Sequence, residues 1–128
     1  MTTIKFSSDV TFFAVPNSPE GVHVVIESPQ RVRVTWRSHP GLKGLVTRYM
    51  VKWLHLGNPA DSNVDGHKIV NAGNPYRRET QVGGLKPYNM YSFMVREEVG
   101  QDNWGEFSSP VDVIMPEDGT IKDLLYLI

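Results

Sequence analysis

Short runs of alternating apolar and polar residues follow one another along this chain, with turn-forming residues between them. Apolar side chains occupy every second position in five of these runs: Val22–Ile26, Val32–Trp36, Tyr49–Trp53, Tyr91–Val95 and Val111–Val113. A two-residue period is typical of strands with one buried and one solvated face. Two shorter runs lie at residues 68–70 and 78–82, and the last strand is expected to run from Ser109 to Met115. The pattern predicts an all-β fold, a seven-stranded antiparallel immunoglobulin-like β-sandwich.

The residues before this pattern predict a boundary. Pro16 and Pro19 flank Asn17-Ser18, which is typical of a turn or linker. We therefore expect residues 1–16 to be a linker or the end of a neighbouring domain, and residues 17–117 to form the sandwich. An extra edge strand within the first segment is the alternative.

The C-terminal tail, residues 118–128, has a different period. Its apolar residues fall at helical spacing i, i+3, i+4 and i+7: Ile121, Leu124, Leu125 and Ile128. Thr120 is placed to cap such a helix, with Asp123 three residues further on. Because a helix this short is marginal in water, it needs a surface to dock on. A frayed tail or a vector remnant is the alternative.

Composition excludes several classes of protein. The 128 residues are enough to bury a core without a disulfide or metal staple. The absence of cysteine excludes thiolate zinc sites and thiol nucleophiles. A net charge of -1 gives no general attraction to nucleic acid or to an anionic membrane. No apolar run reaches the roughly 20 residues that span a bilayer, so we expect no direct membrane contact from this part of the protein.

Catalytic and metal-binding patterns are missing from the sequence. The four histidines, His23, His39, His55 and His67, lie in separate strands and loops without metal-ligand spacing. No nucleophile elbow, phosphate loop or calcium loop occurs either. We therefore predict that the chain is not an enzyme and uses no cofactor or metal.

The segment Leu85–Tyr91 predicts how the two sheets are joined. A leucine and Pro87 precede a turn, and Tyr91 then opens an alternating strand with Phe93 and Val95. A tyrosine in this position caps the corner between two sheets, with its hydroxyl hydrogen-bonded to backbone a few residues upstream.

Together these motifs resemble the fibronectin type III domain over residues 17–117. The matching elements are Trp36 after Val32-x-Val34, Tyr49-x-Val51-x-Trp53, Leu85-x-Pro87-x-x-x-Tyr91-x-Phe93-x-Val95, and Ser109-Pro110-Val111-x-Val113 with Pro116. The resemblance implies one sheet of strands A, B and E and another of strands C, C′, F and G, in which the Tyr49–Trp53 run belongs to C, the Tyr91–Val95 run to F and the Val111–Val113 run to G. It implies a structural core of Trp36, Tyr49, Leu85, Tyr91 and Phe93, with Trp36 at its centre.

Within that family, Gly84–Val95 is similar to the membrane-proximal type III domains of netrin receptors of the deleted-in-colorectal-cancer and neogenin kind. Those guidance receptors bind netrins and repulsive guidance molecules. The resemblance implies the extracellular part of a single-pass membrane protein; a cytoplasmic location is the alternative.

Trp104-Gly105-Glu106-Phe107-Ser108 resembles the Trp-Ser-x-Trp-Ser box of cytokine-receptor type III domains. There, aromatic rings alternate with arginines of strand F in a cation–π ladder. Here only Arg96 is well placed on strand F, since Met94 stands two residues before it, so at most a partial ladder is predicted. Trp104 either braces the loop and strand G or anchors a partner.

The outward face of strands C, F and G is the candidate protein-binding surface. If alternation points Tyr49 and Phe93 inward, the intervening residues point outward. The candidate protein-binding residues are Arg48, Met50, Lys52, Met94, Arg96, Trp104 and Ile114. Methionine and isoleucine ringed by charges favour an adaptable contact patch. Scattered surface apolarity is the alternative.

On the other sheet, Arg31, Arg33 and Arg37 share an outward row. A solvated face that discourages edge pairing is one interpretation. A contact for heparan sulfate or an acidic partner is the other.

These observations favour a non-catalytic protein–protein interaction module of a modular cell-surface receptor or adhesion protein. Its partners would be a protein ligand or neighbouring domains of the same chain. The alternative is a structural spacer in a multidomain extracellular or muscle-type intracellular protein. A carbohydrate-enzyme accessory domain or an intracellular scaffold domain is a third hypothesis.

Overall fold

The computed structural model describes residues 18–38, 46–56, 65–73 and 77–117. These residues form seven strands: β1 (Glu20–Ser28), β2 (Arg31–Arg37), β3 (Val46–Leu56), β4 (Gly66–Asn71), β5 (Glu79–Val82), β6 (Met90–Val99) and β7 (Val111–Ile114). The expectations for residues 1–16 and for the tail at 118–128 lie outside the described residues. The predicted seven-stranded all-β fold is confirmed.

The strands form two antiparallel sheets. A three-stranded sheet has the order β1-β2-β5, and a four-stranded sheet has the order β4-β3-β6-β7. In the lettering implied by the family resemblance, these are A-B-E and C′-C-F-G. The predicted division of strands between the sheets is therefore confirmed.

The inward faces of both sheets form one core. Trp36 of β2 is 2% exposed, and its ring centroid lies 5.1 Å from that of Tyr49 on β3. The core also holds Leu85, Tyr91 and Phe93, so all five residues expected there are buried. Burial of alternate residues on β2, β3 and β6 supplies the hydrophobic free energy that joins the sheets.

A tyrosine corner closes the sandwich before β6. The Lys86 backbone N–H donates a hydrogen bond of 2.9 Å to the hydroxyl of Tyr91, whose side chain is fully buried. The same turn is hydrogen-bonded to the residue after β7: the Asn89 carbonyl accepts a 2.8 Å bond from the Met115 N–H. This turn thus holds the end of β7 beside the start of β6.

Two details differ from the expected pattern. Ile26 is 37% exposed, although alternation placed it on the core side with Val22 and Val24; the β1–β2 register shifts between Ile26 and Ser28. The last strand begins at Val111 and not at the predicted Ser109. Pro110 explains the later start, because proline has no N–H to donate to a ladder.

Candidate protein-binding surface

The register of the four-stranded sheet sets the rows of its outer face. Met50 of β3 lies opposite Arg96 of β6 and opposite Ile69 of β4. Because residues directly opposite each other share a face, these three side chains form one row across three strands. Lys52 and Met94 form the next row on the same face.

Five side chains on this face form a cation–π ladder, made of Arg48, Trp104, Arg96, Phe107 and Lys52. The guanidinium carbons of Arg48 and Arg96 lie 5.3 and 5.0 Å from the Trp104 ring centroid. Arg96 also lies 4.7 Å from the Phe107 ring, and the Lys52 ammonium lies 5.5 Å from the same ring. All four distances are within the roughly 6 Å at which a cation is attracted to a ring face.

The ladder is longer than the predicted partial one. The sequence prediction rests on the cations of β6, where only Arg96 is suitable. The other two cations, Arg48 and Lys52, come from the neighbouring strand β3, on either side of Met50. Their four-residue spacing places them on one face, and that spacing was the available signal.

Backbone hydrogen bonds position the two aromatic residues of the ladder. The Gly105 N–H donates to the Glu97 carbonyl at 2.9 Å, and the Ser108 N–H donates to the Val95 carbonyl at 2.8 Å. The Val95 N–H donates in turn to the Ser108 hydroxyl at 3.0 Å. Residues 104–108 therefore run antiparallel beside β6 before β7 begins, which carries both rings over the sheet.

Glu98 anchors one end of the ladder. Arg48 donates to its carboxylate twice, from Nε at 2.7 Å and from Nη2 at 2.6 Å. The Thr47 hydroxyl and the Asp102 backbone N–H each donate a further bond of 2.7 Å. A bidentate arginine–carboxylate pair fixes the plane of the guanidinium, which here lies over Trp104.

These bonds shift the acid–base equilibria of the pair. The Arg48 hydrogen bonds lower the pKa of Glu98 to about 2, more than its burial raises it. The hydrogen bond with Glu98 in turn raises the pKa of Arg48. Both groups are therefore charged over the whole physiological pH range, and the ladder keeps its end cation.

The candidate binding residues fall into two zones. Met50, Lys52, Met94 and Arg96 are half-buried neighbours, and we call the surface that they form with the ladder side chains the ladder zone. Within it, Met50, Lys52 and Arg96 line a shallow concavity with His67 and Phe107. Trp104 is also half-buried, held between two guanidinium groups. Ile114, by contrast, is 62% exposed and pairs with Met90.

The row between the zones holds Leu54 of β3, Ser92 of β6 and Asp112 of β7, so the two zones are separated by polar residues on β6 and β7. Two further apolar residues on this face, Ile69 and Met90, are each 37% exposed and are not among the residues predicted from the sequence. Ile69 extends the ladder zone onto β4, and Met90 adjoins Ile114 on the far side of the Ser92–Asp112 pair. The alternation of apolar and polar residues on β4 covers too few positions to predict which face Ile69 occupies.

Glu27 offsets part of the positive charge of the arginine row on the three-stranded sheet. The Glu27 carboxylate forms ion pairs with Nη2 of Arg33 at 2.5 Å and with Nε of Arg31 at 3.3 Å. Arg37 packs over Gly21, where a Cβ would lie 2.8 Å from the Arg37 Nε. This row therefore presents less free positive charge than its sequence indicates.

Metal sites and membrane-spanning helices are absent from the described ranges. Within them, no three His, Cys, Asp or Glu side chains come together as a metal site. The same residues include no helix with the length and hydropathy of a transmembrane segment.

Solved structures share the fold of this chain. The FN5 domain of Drosophila Lar superposes with a TM-score of 0.63 at 24% identity, covering 80% of this chain and 98% of that one. The third fibronectin III domain of the human KIAA0343 protein superposes with a TM-score of 0.67 at 21% identity, covering 80% and 83%.

Curated relatives extend the similarity to sequence. The chain is 31% identical over 101 residues to the netrin receptor DCC of Rattus norvegicus, and equally so to that of Homo sapiens. The match covers 77% of this chain but spans only 6% of the receptor's length. The fibronectin type III domain family matches residues 17–114. The chain belongs to the fibronectin type III domain family.

Proposed function

We propose that this domain is a non-catalytic protein-interaction module in the extracellular part of a cell-surface receptor or adhesion protein. It contacts its protein partner through the ladder zone of the four-stranded sheet. The observation that carries the proposal is the row Ile69–Met50–Arg96, in which apolar side chains lie beside a cation held in a fixed position. Similarity to the netrin receptor DCC supports the receptor context.

The ladder makes this face suitable for recognition. Arg96 lies between the Trp104 and Phe107 rings, so its guanidinium is already ordered before a partner arrives. Ordering a long side chain costs roughly 0.5–1.5 kcal/mol on binding, and a pre-ordered arginine avoids much of that cost. Arginine and tryptophan are enriched among residues that dominate interface energies.

Met50 and Met94 supply the adaptable part of the surface. Both lie on the outer face and adjoin the Arg96 and Lys52 positions across the β3–β6 pair. Flexible thioether side chains accommodate differently shaped partners. A ligand with an apolar centre and a surrounding acidic rim complements these residues best, and a netrin-type guidance protein is the ligand class that the relative's name indicates.

The test is a screen of purified secreted and cell-surface ectodomains, netrins included, against the immobilised domain. Ile69→Asp places a charge in the ladder zone, and Val25→Asp is the matched control on β1 of the opposite sheet, where Val25 is 55% exposed. We expect a partner that binds the parent and the control but not Ile69→Asp. Absence of any partner would favour a spacer domain, and a partner whose binding is unaffected by Ile69→Asp would place the contact outside the ladder zone.

A further inference from the structure

The outer face carries a second apolar area, separate from the ladder zone. Leu56 of β3 lies opposite Met90 of β6, which lies opposite Ile114 of β7. We call these three residues the distal patch. Met90 is 37% exposed and Ile114 is 62% exposed, so two of its three members are open to solvent. Adjoining apolar side chains that are exposed together favour a contact surface more than isolated ones do.

The chain leaves the described structure beside this patch. Met115 directly follows Ile114, and its N–H is bonded to the carbonyl of Asn89, the neighbour of Met90. The Tyr88 N–H contacts the Pro116 carbonyl at 3.3 Å, which holds the exit of the chain against the same turn. Residues 118–128 thus continue from the edge of the patch.

The sequence of that continuation fits the patch. Its apolar residues fall at the i, i+3, i+4 and i+7 spacing of one helical face, and we call them the tail stripe: Ile121, Leu124, Leu125 and Ile128. Three intervening residues, 118–120, extend up to about 10 Å and include Gly119, which allows a sharp turn. An eight-residue helix is about 12 Å long, and three adjacent strands span about 10 Å.

We propose that the C-terminal tail folds back as a short amphipathic helix and covers the distal patch with the tail stripe. An eight-residue helix is not stable alone in water, and the patch supplies the apolar surface that stabilises it. The tail then covers Ile114 and leaves Met50 and Met94 open. This inference is independent of the ligand, since it concerns the opposite end of the face.

The test uses the full chain with 13C-labelled methionine methyl groups and a soluble nitroxide. We expect the Met90 methyl to be protected from relaxation in the parent and to lose that protection in Leu125→Asp, which breaks the tail stripe. Leu127→Asp is the matched control, because residue 127 lies off the stripe, and it should keep the protection. Equal exposure of Met90 in the parent and in Leu125→Asp would overturn the proposal.

A second measurement separates docking within one chain from docking between two copies. The chain has no cysteine, so Met90→Cys with Leu124→Cys introduces the only two thiols. We expect oxidation to give a disulfide within the monomer, whereas Met90→Cys with Leu127→Cys should give little. Disulfide-linked dimers as the main product, or protection of Met90 that rises with protein concentration, would assign the patch to a second copy and overturn the proposal.

Discussion

The Arg96 guanidinium lies 5.0 Å from the centroid of the Trp104 ring, on the outer face of the four-stranded sheet. Trp104 is in turn covered by Arg48, whose orientation is fixed by the buried carboxylate of Glu98. The ladder thus links a loop tryptophan to two strands and to one buried acid. The same side chains therefore contribute to the stability of the domain and form the proposed binding face.

The Arg96–Trp104 contact should be measurable as a coupling energy. We expect a double-mutant cycle with Arg96→Met and Trp104→Leu to give about 0.5–2 kcal/mol, measured by urea unfolding. A control cycle pairs Trp104→Leu with Arg31→Met on the other sheet and should be additive within about 0.5 kcal/mol. Additivity in the first cycle as well would mean that the Arg96–Trp104 contact does not contribute to stability.

Glu98 should make the stability depend on acid pH. Its pKa is about 2 in the folded protein and 4.5 for the ordinary group, so its contribution is fully present above pH 4.5. That contribution is lost as the pH falls from about 4.5 to about 2. We expect Glu98→Gln to lower the urea midpoint at pH 7, and the difference from the parent to shrink towards pH 2. A difference that is constant with pH would contradict the assigned ion pair.

The core tryptophan, Trp36, should contribute strongly to the free energy of unfolding. Trp36 is 2% exposed and packs against Tyr49, so we expect Trp36→Ala to cost about 3–5 kcal/mol of unfolding free energy. Trp36→Phe keeps an aromatic ring in place and should cost less. Both values come from equilibrium unfolding in urea, and an unchanged midpoint for Trp36→Ala would exclude Trp36 from the core.

The tyrosine corner can be tested by deleting one oxygen. Tyr91→Phe removes the acceptor of the Lys86 N–H while keeping the buried ring. We expect a loss of about 1 kcal/mol, typical of one protein hydrogen bond. The denaturant dependence should stay unchanged, since the same surface is buried. Unaltered stability would show that this hydrogen bond has no net value.

Gly66 gives a prediction with a close control. A Cβ at Gly66 would lie 2.6 Å from a ring carbon of Trp53, whereas one at Gly83 would meet nothing within 4 Å. We expect Gly66→Ala to cost about 1–3 kcal/mol through overpacking. Gly83→Ala should be neutral or stabilising by up to about 1 kcal/mol, because it restricts the unfolded chain. The measurement is thermal unfolding of both variants. A lower melting temperature for Gly83→Ala than for Gly66→Ala would contradict the close packing at Gly66.

Much of the fold could be predicted from local sequence patterns. The alternation around Trp36 and the spacing from Leu85 to Tyr91 each depend on a single strand or turn, so they could be interpreted without knowing the partner strands. The ladder could not be predicted in full, because it requires residues 104–108 to lie across β6 and reach Arg48 and Lys52 on β3. That arrangement depends on long-range pairing.

Register limited the prediction of the binding surface in the same way. Alternation places Met94 and Ile114 on one face, but it does not say which residues lie opposite each other. The β6–β7 register pairs Ile114 with Met90 and puts the Ser92–Asp112 row between Ile114 and Met94. One predicted patch therefore becomes two zones, and the ladder zone is the one we assign to a partner.

The most direct test compares the dissociation constants of two double variants for an ectodomain that binds the parent. Met50→Asp/Met94→Asp changes the ladder zone, and Val25→Asp/Ile26→Asp introduces the same charges on β1. Both variants are first checked for unchanged thermal stability. We predict that the ladder-zone variant loses at least about tenfold in affinity, or about 1.4 kcal/mol, while the β1 variant binds like the parent. Equal affinities for the two variants would contradict the assignment of this face to partner binding.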